Sequence, residues 1–135
     1  MIRILIKSDS RYKIDRKTLK EGIKRILLNN GITDDVELSI LIVGNRKMSL
    51  LNRQYLGRRG TTDVLSFPQQ DIFSKKKEAE LGFIEPPDNI LRLGDIAISY
   101  PKAREQAARQ NLLVDEEINL LIEHGLLHLL GIHHE

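Results

Sequence analysis

The alternation of apolar and polar positions divides the chain into short strands and amphipathic helices. Residues 2 to 7, Ile-Arg-Ile-Leu-Ile-Lys, alternate only in part, but their β-branched and leucine content predicts a strand. Asp15 is placed to cap a helix running to about Asn29, with Leu19, Ile23, Ile26 and Leu27 on one stripe and Gly31 as the stop. Val36 to Val43 begins with alternation and ends in an unbroken apolar run, the pattern of a central, buried strand. Asn45 then caps a second helix with Met48, Leu51 and Tyr55 at core spacing, and Gly57 closes it. A basic hinge, Arg58-Arg59-Gly60, leads into a short strand from Thr62 to Phe67 that Pro68 ends.

Residues 69 to 92 show little periodicity, contain Lys75-Lys76-Lys77 and Pro86-Pro87, and read as a long loop or hairpin. Leu93 to Ser99 reads as a further strand. Ser99 caps a helix from Tyr100 to about Asn111, where Pro101 is tolerated in the first turn because its missing donor would have no partner there. Asp115 caps a last helix to Leu130, whose apolar face is Ile118, Leu121, Ile122, Gly125 and Leu129, with His124 and His128 on the adjoining edge. This order predicts a single α/β (α+β) domain over residues 1–135, with a mixed sheet of about four strands packed with helices.

The histidines give that last helix a chemistry. All four in the protein fall between positions 124 and 134. Side chains four apart project from one helix face, so His124 and His128 are able to close on one ion. Gly131 permits a left-handed turn that swings a third imidazole back toward them, with His134 the candidate and His133 beside it. A lone histidine in an apolar helix is more often a hydrogen-bonded core residue, and a purification tail is consecutive. The i, i+4 pair followed by a glycine turn fits neither. Three neutral ligands with an open fourth position describe a catalytic zinc site, whereas structural sites are usually closed by four ligands, often cysteines. This chain has no cysteine.

Composition fits one globular core: 135 residues, 41% hydrophobic and 30% charged, with a net charge of only +2. The charge is unevenly spread. Positions 46 to 59 hold Arg46, Lys47, Arg53, Arg58 and Arg59 and no acid, while positions 115 to 135 hold five acids and no Lys or Arg. Such asymmetry steers a polyanion across one surface, although solvated helix faces produce similar runs. The apolar start is too short for a signal peptide and the stretch from 118 to 132 is interrupted by Glu123 and histidines. A cytoplasmic protein with no membrane contact and no small-molecule cofactor is expected.

The frame His124, His128, Gly131, His134 has the spacing of the metzincin peptidases, but the glutamate that serves them as general base would stand at position 125, which is Gly125. Glu123 points roughly 100° away from His124 on a helix and is a poor substitute. Peptide hydrolysis is disfavoured. Three neutral ligands leave the ion its double charge, which attracts anionic oxygen and lowers the pKa of a bound water toward 7. With basic stretches in the same small domain, nucleic acid becomes the leading substrate class.

Three stretches carry a resemblance to a known family. His124-Gly-Leu-Leu-His128-Leu-Leu-Gly131-Ile-His133-His134 resembles the signature His-Gly-x-Leu-His-Leu-x-Gly-Tyr-Asp-His of the YbeY family. Leu51 to Pro68 is similar to its Leu-Asn-x-x-Tyr-Arg-Gly-x-x-x-Pro-Thr-Asp-Val-Leu-Ser-Phe-Pro, and Leu93 to Ser99 to its Leu-Gly-Asp-Ile-x-Ile-Ser. The resemblance implies a zinc-dependent single-strand endoribonuclease involved in rRNA maturation, acting on RNA at the ribosome. It implies one Zn2+ held by His124, His128 and His134. Ile132-His133 replaces the family's tyrosine-aspartate, and Leu56 replaces the arginine of its Tyr-Arg-Gly motif, so Arg58 and Arg59 are the expected substrate-binding residues, with Arg59 and Asp63 in the catalytic set. Asp63 and Asp95 are the strand-end acids available as a general base, each with an ordinary alternative in bracing a strand or fixing a turn. The rival functions are a metallopeptidase-like zinc hydrolase and a zinc-containing ribosome assembly or RNA-binding factor.

Overall fold

The computed structural model describes residues 1–32, 35–68 and 90–131. Its elements are β1 (Ile2–Ser8), α1 (Arg16–Asn29), β2 (Val36–Val43), α2 (Asn45–Leu56), β3 (Val64–Pro68), β4 (Leu91–Ser99), α3 (Tyr100–Gln110) and α4 (Val114–Leu129). The strands form one mixed sheet in the order β1-β2-β4-β3. β1, β2 and β4 are parallel, with Ile2 beside Val36 and Leu38 beside Gly94, and β3 is antiparallel to β4, with Val64 beside Ile98. β2 is central, as its apolar run predicts. The long stretch from 69 to 89 lies outside the described residues.

Alternation along the strands assigns the two faces. Leu38, Ile40 and Ile42 of β2 and Ile96 and Ile98 of β4 meet Leu19, Ile23 and Leu27 of α1, Ile118, Ile122 and Leu126 of α4, and Ala103 of α3. The opposite side chains, Leu41, Val43, Leu65, Phe67 and Ala97, pack with Met48 and Leu51 of α2. Among the described residues, one face is thus covered by α1, α3 and α4 and the other by α2. Between Glu37 and Leu38 the pairing shifts, leaving Leu93 as an extra residue in β4. Gly94, at φ +138, completes this bulge: a Cβ there would stand 2.2 Å from the Phe67 carbonyl oxygen. Gly94-Asp95 is therefore a bulge inside a continuous strand, where a turn was an alternative.

Helix ends follow local capping with two departures. Asp15 accepts from the Thr18 backbone N–H at 3.1 Å and Ser99 from that of Lys102 at 3.3 Å, as predicted. Asn45, by contrast, is the first residue of α2 and Gly44 its cap, and the side-chain Oδ1 of Asn45 is taken by the Ser99 hydroxyl at 2.7 Å. Likewise Asp115 lies in the first turn of α4 behind Leu113, whose N–H is satisfied by Glu116 at 2.9 Å. Tyr55 is not a core residue. It is 64% exposed, with its ring centroid 4.8 Å from that of Phe67, and Asn52 is buried in its turn, while on α4 Leu126 is buried and Leu129 only half-buried. No helix among the described residues is long and apolar enough to cross a membrane.

Candidate metal centre and nucleic-acid face

α4 presents different chemistry on each side. Ile118, Ile122 and Gly125 face the sheet, and a Cβ at position 125 would stand 3.0 Å from Ile96 Cγ2 and 3.4 Å from Val64 Cγ2. Absence of a side chain is what lets the helix approach β4 and β3 this closely. A glutamate at that position would be driven into the sheet, so the general-base arrangement of the zinc peptidases has no room here. Glu123 lies on the far flank, in a groove between α1 and α4 lined also by Gly22, Arg25 and Asn119.

His124 and His128 are exposed, one turn apart, with ring centroids 5.0 Å apart and planes at 60°. Two imidazoles bound to one ion through nitrogens at about 2.1 Å, near the tetrahedral angle, place their centroids about 5 Å apart. The separation of the two rings is that of ligands to one ion. Gly131, at φ +75, turns the chain directly after the helix, as the glycine requires. His133 and His134 lie outside the described residues, so among the described residues two candidate ligands come together and no set of three does.

The remaining candidates separate. Asp63 precedes β3, half-buried, and its carboxylate is engaged: Gln106 of α3 donates to Oδ2 at 3.1 Å and Thr62 to Oδ1 at 3.3 Å. Its backbone carbonyl accepts from the Ser99 N–H at 2.9 Å. The bracing contact through its backbone is thus present. Asp95 shares the parity of Ala97 and pairs with Phe67, which puts it on the α2 face, across the sheet from the histidines. Arg58 and Arg59 are exposed just past Gly57, which caps α2 at φ +64, and Leu56 is exposed beside them.

Two asparagines hold this hinge in place, Asn52, which sequence reading passed over, and Asn45, which it read as a helix cap. Asn52 donates to the Gly60 carbonyl at 3.1 Å, and Asn45 accepts from Ser99 and, at 3.4 Å, from Thr61. Asn45 and Ser99 are 54 positions apart, so no local pattern marks them; the one signal for Asn52 is a polar residue on the apolar stripe of α2. The result is a short basic segment pinned to the end of the β3–β4 hairpin, with Val64 of β3 packed beneath the helix that carries the histidines.

Comparison with known proteins extends this geometry. The family model described as Endoribonuclease YbeY matches residues 5–135. A Persephonella marina protein named Endoribonuclease YbeY is 39% identical over 100% of this chain and 80% of its own length. A Dehalococcoides mccartyi protein of the same name is 36% identical over 99% of this chain and 78% of its own. Among solved structures, the solution structure of TM1509 from Thermotoga maritima superposes with a TM-score of 0.58 at 27% identity, covering all of this chain and 75% of the other. Near full-length matches of this kind, on a fold that places His124 and His128 side by side, show that the chain belongs to the endoribonuclease YbeY family.

Proposed function

We propose that this protein is a zinc-dependent endoribonuclease that cleaves single-stranded RNA during rRNA maturation at the ribosome, in the cytoplasm. The observation that carries the reading is the His124–His128 pair, exposed on a rigid helix at the separation a shared ion requires. His134, three positions after Gly131, is the third ligand in this proposal. When bound, an ion held by neutral imidazoles supplies an undiminished double charge that draws anionic oxygen and acidifies water.

The chain's own residues supply binding and order. Arg58 and Arg59 offer planar, bidentate donors to phosphate on an exposed segment whose backbone is fixed by Asn52 and Asn45. Asp63 acts through position: it ties the start of β3 to Gln106 and Ser99, and β3 in turn supports α4 through Val64 and Gly125. The membership of the chain in a family named for endoribonuclease activity supports the reaction class. The test is metal analysis of the purified protein together with cleavage of a labelled single-stranded RNA before and after chelation. One zinc per chain and cleavage that returns on adding zinc back are expected; cleavage indifferent to chelation would overturn the metal assignment.

A further inference from the structure

Tyr55 stands on the stripe of α2 that carries Met48, Leu51 and Asn52, yet those three are buried and Tyr55 is mostly exposed. Its ring has one aromatic neighbour, Phe67 of β3, with centroids 4.8 Å apart and planes at 49°. At that tilt Phe67 bears on one side of the Tyr55 ring. Among the described residues no other ring and no guanidinium lies over the opposite side, and 64% of the residue is open to solvent. The pair therefore forms a shelf: Phe67 supports Tyr55 from below, and the upper face of the tyrosine is free.

The basic hinge is folded back beside this shelf. Gly57 turns the chain at φ +64, the Arg58 N–H donates to the Asn52 carbonyl at 3.4 Å, and the Asn52 side chain donates to the Gly60 carbonyl at 3.1 Å. Asn52 lies one turn before Tyr55 on the same side of the helix. Arg58 and Arg59 are thus held at the Tyr55 end of α2, both exposed, and positions 46 to 59 contain no acid to pair with them. A free aromatic face beside two guanidinium groups offers a nucleotide both of its needs, a stacking surface for the base and cations for the phosphates. An acidic peptide would use the cations and leave the ring without a partner.

We propose that the Tyr55–Phe67 shelf is a stacking subsite for single-stranded RNA, with one base on the free face of Tyr55 and the adjoining phosphates on Arg58 and Arg59. The proposal rests on the ribonuclease reading above and names where the strand is held away from the histidines. Phe67 lies three residues after Val64, which packs beneath Gly125 of the histidine-bearing helix, so the shelf is about 10 Å further along β3 and on the opposite face of the sheet. β3 is the last strand in the order β1-β2-β4-β3, and a chain held at both places passes around it. The shelf therefore acts on KM for RNA long enough to reach it, more than on kcat.

The test titrates the whole protein with a 2′-O-methyl oligoadenylate and with an abasic strand of equal length, both checked by gel to remain intact. Tyr55→Leu should weaken the base-bearing strand by about tenfold, within the range for one stacked base, leave the abasic strand unchanged, and raise KM for a long RNA without moving kcat. Tyr55→Phe keeps the ring and loses only the hydroxyl, so it should bind as the wild type does. The chain has no tryptophan, so Tyr55→Trp puts a reporter on the shelf whose emission the base-bearing strand should quench and the abasic strand should not. Wild-type affinity in Tyr55→Leu, or an equal loss for both strands, would overturn the subsite. So would an unquenched Tyr55→Trp, which decides the matter even if Tyr55→Leu fails to fold. Those outcomes leave the ribonuclease reading standing, whereas a wild-type protein that binds neither strand would remove that reading as well.

Discussion

Gly125 meets Ile96 so closely that a Cβ on the helix would stand 3.0 Å from Ile96 Cγ2. This contact sets the distance between the histidine-bearing helix and the sheet. Converting the site toward the peptidase pattern by Gly125→Glu should therefore unfold it before it changes its chemistry. Overpacking and burial of a carboxylate together cost about 2–5 kcal/mol, read as a fall in the urea midpoint. A variant of wild-type stability would mean that α4 and β4 are further apart than described.

His124 and His128 are exposed, so their removal should spare the fold and spoil the metal site. His124→Ala combined with His128→Ala should keep the wild-type melting temperature measured on metal-free protein, yet lose stoichiometric zinc and RNA cleavage. Retention of one zinc per chain would show that the ligands lie elsewhere.

Arg58 and Arg59 are expected to touch phosphate. Replacing both with Gln should weaken binding of single-stranded RNA and reduce the slope of log K against log salt by about 1.4, at about 0.7 per phosphate contact. An unchanged slope in a fluorescence-anisotropy titration would take them out of the footprint.

Asp63 and Asp95 should behave differently because the sheet lies between Asp95 and the histidines. Asp63→Asn disturbs the bond from Gln106 and should lower kcat modestly, by less than loss of one zinc ligand, while Asp95→Asn should leave kcat near wild type. The rates are to be taken on fully metallated protein with the fold checked by circular dichroism. Abolished turnover in Asp95→Asn would contradict its placement on the α2 face.

Asp15 gives a pH-dependent test of capping. The hydrogen bonds from the Thr18 hydroxyl and backbone N–H hold its carboxyl below the ordinary 3.8. A carboxyl depressed on folding stabilises the protein above its unfolded pKa and loses that contribution as acid protonates the folded form. Asp15→Ala should lower the melting temperature at neutral pH, and the gap to wild type should narrow below pH 3.8 as the wild-type contribution titrates away. A gap of constant size down to pH 2 would show that the charge of Asp15 plays no part.

The sequence by itself determined the elements and the chemistry on α4. Period-two and period-3.6 patterns, with their stop residues, set the bounds of every element to within two residues because burial on one face imposes them. The histidine pair was legible for the same reason: a spacing of four is a statement about helix geometry alone, and Gly131 sits in the left-handed turn that its position implies. The caps were less legible. Asn45 and Asp115 have good capping side chains, but Asn45 is claimed by Ser99 of another element, and a glutamate three residues past Leu113 satisfies the end of α4 instead.

Only the tertiary structure decided what faces what. Parity along β4 becomes a side of the molecule once α2 takes one face and α4 the other, and that assignment separates Asp95 from the histidines. Gly125 reads in sequence as a missing base; packing shows a point of closest approach to Ile96. Asp63 reads as a candidate acid, and only the packing of α3 brings Gln106, 43 positions away, to donate to its carboxylate. Tyr12 and Tyr100 carry no common motif and meet because the parallel strands β1 and β4 end on the same edge of the mixed sheet. Local pattern fixes a side chain's direction within its own element, while its partner depends on how the elements pack, which is a property of the whole chain.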